Sequence, residues 1–187
     1  MKLTEIVHAR LADYLQPGDI AIDATAGNGH DTCFLAEKVG SNGQVIAMDI
    51  QEDALAATRI RLAEKRLVAR VELVLGDHTQ QLEDLARTRP GSAAAVLFNL
   101  GYLPGGAKSI VTTPANTGRA LESARSLLRL GGLLCVTAYR GHPGGPEEAA
   151  AVEAWMQART DAGDTVENHR PETTNHPPVL WLLEKLV

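Results

Sequence analysis

Short apolar runs alternate with helical segments along the chain, and each of the first five runs ends in a turn carrying glycine, aspartate or asparagine. Runs that are apolar throughout, without strict alternation, bury both faces of a strand. Separated by helices, they dictate a mainly parallel sheet with helices on both sides. The strand-like runs are 19–25, 44–50, 71–75, 93–100 and 133–139. Helical spacing predicts helices over 3–15, from His30 or Asp31 to Val39, and over 52–67, 78–88, 115–129 and 146–160. Pro17-Gly18, Gly40 and Gly131-Gly132 punctuate them. Two last runs, 163–170 and 179–186, have no helix between them and read as an antiparallel hairpin around a loop holding Pro171, Pro177 and Pro178. The expected fold is therefore α/β and Rossmann-like: seven strands, helices on both faces, a C-terminal antiparallel hairpin, all in one domain over residues 1–187.

Composition narrows the setting. No apolar stretch is long enough to cross a bilayer, and the N-terminus, with Glu5, His8, Arg10 and Asp13, lacks an apolar signal core, so a cytoplasmic location is expected. Cys33 and Cys135 lie far apart without metal-ligand spacing, which reads as two reduced, buried thiols; no metal is expected. A net charge of -5 argues against nonspecific phosphate binding without excluding RNA. Arg59, Arg61, Lys65, Arg66 and Arg70 form one basic cluster, which reads as the solvated face of a helix or as a local RNA contact.

Two of the turns carry chemistry. The first reads Asp23-Ala-Thr-Ala26-Gly27-Asn28-Gly29-His30 and opens a helix. Ligands of open parallel sheets bind at the carboxyl ends of strands, and a glycine turn before a helix offers bare backbone and N–H groups to an anion. Gly27 and Gly29 with Thr32 lack the third glycine of a dinucleotide fingerprint, which disfavours NAD. Asp23 is placed to accept from an amino group, directly or through water, and S-adenosylmethionine (SAM) carries that ammonium whereas NAD does not. Asp49, with Gln51 beside it, ends the second strand and suits two ribose hydroxyls. Asp77 follows the third strand and suits an exocyclic adenine amine, with His78 packing beside the ring.

The second turn reads Asn99-Leu-Gly-Tyr102-Leu-Pro-Gly105-Gly106. It is similar to the Asn-Pro-Pro-Tyr pattern of methyltransferases acting on amino nitrogens. An amine must aim its lone pair at the methyl group; the Asn99 oxygen and a backbone carbonyl can accept its N–H bonds, and the Tyr102 ring can stabilise positive charge. Deprotonating an alkylamine whose pKa lies roughly three units above neutrality costs about 4 kcal/mol, which desolvation beside a sulfonium reduces. His142, in Gly141-His-Pro-Gly-Gly145, is the candidate proton acceptor or substrate contact, with His30 second. Gly105, Gly106 and Lys108 sit in a long polar loop; Lys108 faces either a phosphate or solvent.

With these motifs, together with Lys108-Ser109 and Asn175-His-Pro-Pro178, the chain resembles a bacterial family labelled rRNA methylases, one branch of which comprises MnmM-type tRNA methyltransferases. The resemblance covers nearly the whole chain. It implies a class I SAM-dependent methyltransferase that methylates the 5-aminomethyl group of the wobble uridine, or 2-thiouridine, in tRNA. It also implies a homodimer; with no separate RNA-binding domain, the chain is expected to read mainly the anticodon arm and the modified base. The chain departs from the family in Arg140, where proline is expected. Competing expectations are an rRNA or small-amine methyltransferase on the same fold, and a noncatalytic SAM- or RNA-binding module, which would not need Asn99 or Tyr102.

Overall fold

The structure, a computed structural model, describes residues 2–101, 114–171 and 177–187. Strands β1 (Ile20–Asp23), β2 (Gln44–Asp49), β3 (Val71–Leu75), β4 (Ala93–Leu100), β5 (Leu128–Ala138), β6 (Thr165–His169) and β7 (Val179–Glu184) form a single sheet in the order β3-β2-β1-β4-β5-β7-β6. The first five are parallel, and β7 runs antiparallel to both β5 and β6. The helices are α1 (Leu3–Tyr14), α2 (His30–Val39), α3 (Glu52–Glu64), α4 (His78–Thr88), α5 (Pro114–Leu127) and α6 (Gly145–Asp161).

Alternate residues of the strands feed two separate cores. Ile22, Ile46, Met48, Val96, Phe98, Leu134 and Val136 point to the layer holding Leu82 of α4, Leu121 of α5, and Val152 and Met156 of α6. Ala21, Val45, Ala47, Leu97 and Cys135 point to the other, with Val7 and Leu11 of α1, Leu35 of α2 and Leu62 of α3. The buried run Ala93 to Phe98 of β4 thus serves both layers, which is why it reads as continuous apolar sequence. The predicted architecture is the one found, including the closing β6–β7 pair. Both cysteines are free and buried.

Several boundaries differ from expectation, three of them with a clear local cause or consequence. The third helix stops at Glu64, because Arg66 takes a left-handed conformation (φ 59) and the chain passes through a short 3-10 turn, Val68–Arg70. The strand expected at 133 begins instead at Leu128, which pairs with Ala93. A register shift then carries the pairing to Ala95 and Leu133, past Gly131 at φ 71. Gly131-Gly132 is therefore an irregularity inside β5 rather than the stop of α5, the role glycine takes at strand bends. The last hairpin's first strand is shorter than predicted, Thr165–His169.

The turn from β4 to β1 in sheet order is where strand order reverses, since β2 and β3 lie to one side of β1 and β5 to the other. Loops leaving β1 and β4 diverge there and open a crevice.

Candidate active site

The crevice holds a cavity of about 700 Å³, in the range that takes a cofactor-sized molecule. Its wall is formed by Ala24 to Asn28, His30 and Asp31 after β1, Asp49 to Gln51 after β2, Asp77 and His78 after β3, Asn99 to Gly101 after β4, and Tyr139, Gly141 and His142 after β5; Thr4 of α1 and Asn116 of α5 complete it. One element thus contributes from each of five strand ends, as a parallel sheet requires.

The glycine turn is built by its neighbours. Gly27 N–H donates to Asp49 Oδ2 (2.9 Å), and Gln51 N–H donates to Asp49 Oδ1 (2.9 Å). Each carboxylate oxygen keeps accepting capacity beyond that bond. Thr58 Oγ1 donates to the Gly27 carbonyl (2.9 Å), and Arg61 Nε donates to the Asn28 carbonyl (2.8 Å). Gly29 caps α2 in a left-handed conformation (φ 76), and a Cβ there would sit 2.8 Å from Thr58 Cα. Gly29→Ala therefore combines backbone strain with a clash against main chain, and we expect a loss of about 2–4 kcal/mol in denaturant unfolding. An unchanged midpoint would show that the turn relaxes freely.

Several expected residues line the cavity: Ala26, Gly27, Asn28, Asp49, Gln51, Asp77, His78, Asn99 and His142. Asp77 also caps α4, its Oδ1 accepting from Thr79 N–H (2.7 Å). His78 packs edge-on against Phe98, and its Nε2 is buried without a hydrogen-bond partner among the described residues. Burial holds its pKa below the usual histidine value. His142 Nδ1 lies 3.0 Å from the Pro143 carbonyl, and its Nε2 is buried beside Gly145, where an added Cβ would lie 3.0 Å from it. His30 is exposed at the rim. Tyr102, Gly105, Gly106 and Lys108 lie outside the described residues, as do Asn175 and His176.

Asp23 and Gly29 do not line the cavity. Asp23 is fully buried beneath the turn; its Oδ2 accepts from Thr32 Oγ1 (2.6 Å) and its Oδ1 from Thr25 N–H (3.2 Å). It shapes the turn from below. Burial, with Asp31 and Asp49 nearby, raises its pKa from 3.8 to about 7. The sign follows from linkage. A carboxyl whose folded pKa is raised stabilises the fold below its unfolded value, and that contribution is lost as pH rises towards 7. The span corresponds to an upper bound of about 4 kcal/mol. Asp23→Asn stays neutral, so the stability of the variant relative to the parent should rise between pH 5 and pH 8 in paired denaturant titrations. Parallel pH profiles for the two proteins would contradict this.

Residues that the sequence did not single out surround Asn99 and border the cavity beside it. Thr25 Oγ1 accepts from Asn99 N–H (2.7 Å). Asp31 Oδ2 accepts from Asn99 Nδ2 (2.8 Å), and Asp31 Oδ1 lies 2.7 Å from His8 Nε2. Tyr139, 43% exposed, borders the cavity, and a Cβ on Gly101 would lie 3.1 Å from its ring. Burial and the Asp31 charge raise the Tyr139 pKa. The only signals available in sequence were their positions beside predicted motifs or at strand ends. The basic cluster is partly engaged internally: besides Arg61, Lys65 pairs with Glu37 (2.7 Å) and Arg70 donates to the Ala36 carbonyl (3.1 Å). Among the described residues, no acidic, histidine or cysteine cluster is arranged to hold a metal, and no helix is long and apolar enough to cross a membrane.

Comparison with known proteins bears on this arrangement. The family described as "Putative rRNA methylase" matches residues 45–184. An Arabidopsis thaliana protein named tRNA (mnm(5)s(2)U34)-methyltransferase, chloroplastic, is 42% identical over 165 residues, 82% of this chain and 58% of that protein. The chain therefore spans less than two thirds of that relative's length. A Clostridium thermocellum structure of the same description as the family has a TM-score of 0.91 at 37% identity, covering 100% of this chain and 98% of that one. A Streptococcus mutans structure in complex with S-adenosylhomocysteine (SAH) has a TM-score of 0.87 at 36% identity, covering 100% and 99%. With the match across most of its length and the crevice built as described, the chain belongs to this rRNA-methylase family of class I methyltransferase-fold proteins.

Proposed function

We propose that this protein transfers the methyl group of SAM to the exocyclic nitrogen of a 5-aminomethyl uridine, with or without 2-thiolation, at the wobble position of tRNA. The observation that carries the proposal is Asn99 on the wall of the cavity, with its Nδ2 donating to Asp31 and its oxygen therefore turned away from Asp31, able to accept from an amine N–H.

The donor set fits SAM. Asp49 retains acceptor capacity for ribose hydroxyls, and Asp77 and the unpartnered His78 Nε2 form a polar end suited to adenine. The first-turn N–H groups of α2, at His30 and Asp31, have no acceptor within the helix and face an anion favourably. When bound, SAM supplies an electrophilic methyl on a cationic sulfur. The protein's own part is to orient the amine through the Asn99 oxygen, to exclude water, and to take up the proton the amine must lose, a role for which His142 on the cavity wall is the candidate. Tyr139 offers an aromatic ring at the rim for stacking an unpaired base, the usual means of holding single-stranded RNA.

The tRNA substrate is supported by the name of the Arabidopsis relative. Contact with the anticodon arm, a homodimer and a reducing compartment such as the cytoplasm belong to the same proposal. Two free, buried thiols fit that compartment. An acceptor panel tests the proposal: with labelled SAM, tRNA bearing unmethylated aminomethyl uridine should take up label, and rRNA and simple alkylamines should not. Transfer to rRNA alone would replace tRNA as the substrate while keeping the site.

A further inference from the structure

The Asn99 side chain is ambiguous by itself, since an amide can present either its oxygen or its NH2 to the cavity. Its surroundings remove that ambiguity. Nδ2 lies 2.8 Å from Asp31 Oδ2, and a carboxylate only accepts. The reverse orientation would set the amide oxygen against a carboxylate oxygen. The other oxygen, Asp31 Oδ1, is 2.7 Å from His8 Nε2. The His8 ring in turn stacks on Phe34, with centroids 3.9 Å apart and planes within 3°. Asp31 and Phe34 both belong to α2, and His8 comes from α1. Asn99 is held on its backbone side as well, by Thr25. Asp31 and Asn99 border the cavity, and His8 stands behind them.

We propose that Asp31 is a positioning residue that turns the Asn99 oxygen towards the acceptor amine, and that His8 steadies Asp31, making α1 a working part of the site. The inference rests on the amine-methylation reading above. His8 and Asp31 both precede the segment matched by the family model, so membership assigns them no role. The energetic logic is orientational. An amide free to rotate spends part of its time donating towards the amine instead of accepting from it, and a misaligned nucleophile loses rate without losing cofactor affinity.

The test compares Asp31→Ala, Asp31→Asn and His8→Phe in the full chain, with kcat for aminomethyl-uridine tRNA and SAH affinity by calorimetry. Asp31→Ala should lower kcat about 100-fold, with SAH affinity held within about twofold. Asp31→Asn can still offer a carbonyl oxygen to Asn99 Nδ2 and should recover most of that loss. His8→Phe keeps the ring on Phe34 and removes one hydrogen bond, for which about a fivefold fall is expected. Adding it to Asp31→Ala should cost nothing more, because the two act through one chain of contacts. Asp31→Ala with near-parental kcat, or with SAH affinity lost in parallel, would overturn the inference, as would Asp31→Asn no better than Asp31→Ala. The side-chain amide resonances of Asn99 in nitrogen-15 NMR separate this inference from the substrate assignment. They should move and exchange faster in Asp31→Ala whether or not the chosen tRNA is methylated; resonances unchanged from the parent would refute the positioning role. Absence of methyl transfer by the parent protein would instead refute the substrate.

Discussion

Asn99→Ala is expected to lower methyl transfer by about a thousandfold while leaving SAM and SAH affinity near the parental value, the size of effect seen when a group aimed at the reacting atoms is removed. Asn99 sits at the end of β4, past the sheet's switch point, and its contacts to Thr25 and Asp31 hold the reacting end of the cavity. The groups proposed to face ribose and adenine lie on other strand ends, at Asp49 and Asp77. On the proposed assignment binding and chemistry are carried by different residues, and single-turnover kinetics beside calorimetry should separate them. Joint loss of affinity and turnover would mean that Asn99 supports the cofactor turn and not the amine.

Asp49→Ala should show the converse. Its two oxygens hold Gly27 N–H and Gln51 N–H, and the remaining lone pairs face the cavity. Removing them takes away charge-assisted hydrogen bonds to a ligand and also the clamp on the glycine turn. At about 1.5–3 kcal/mol for a bond to a charged group, SAM affinity should fall about a hundredfold. Under saturating SAM, turnover should recover most of its parental value. An unchanged affinity would remove Asp49 from the cofactor site, and a turnover that stays low at saturation would assign it to the chemistry.

Much of the fold can be read from the sequence because parallel strands buried on both faces leave a simple mark. Val71–Leu75 and Ala93–Leu100 coincide with their predicted bounds, since Gly76 and Gly101 stop the runs sharply. β5 was harder. Gly131-Gly132 resembles a helix stop, and only the pairing of Leu128 with Ala93 shows that the strand passes through it. Position at a strand end brings Asp49, Asp77 and Asn99 to the cavity wall, as their places in the sequence lead one to expect. The site was not legible where function depends on where a side chain turns. Asp23 ends its strand like Asp49, yet faces Thr32 below the turn. Asp31 meets Asn99 across a separation of 68 residues, and His8 meets Asp31 across 23. No periodicity marks such contacts, because they arise only when α1 and α2 pack on the same face of the sheet.

The claim most worth testing is that the acceptor is the exocyclic nitrogen. Purified protein with labelled SAM should be incubated with tRNA carrying an unmethylated 5-aminomethyl wobble uridine, and the digested nucleosides fragmented by mass spectrometry. The account predicts one added methyl, retained on the aminomethyl side chain after fragmentation and absent when Asn99→Ala replaces the parent. A methyl found on ribose or on a ring atom, or no methyl on this nucleoside while SAM binding is intact, would contradict it.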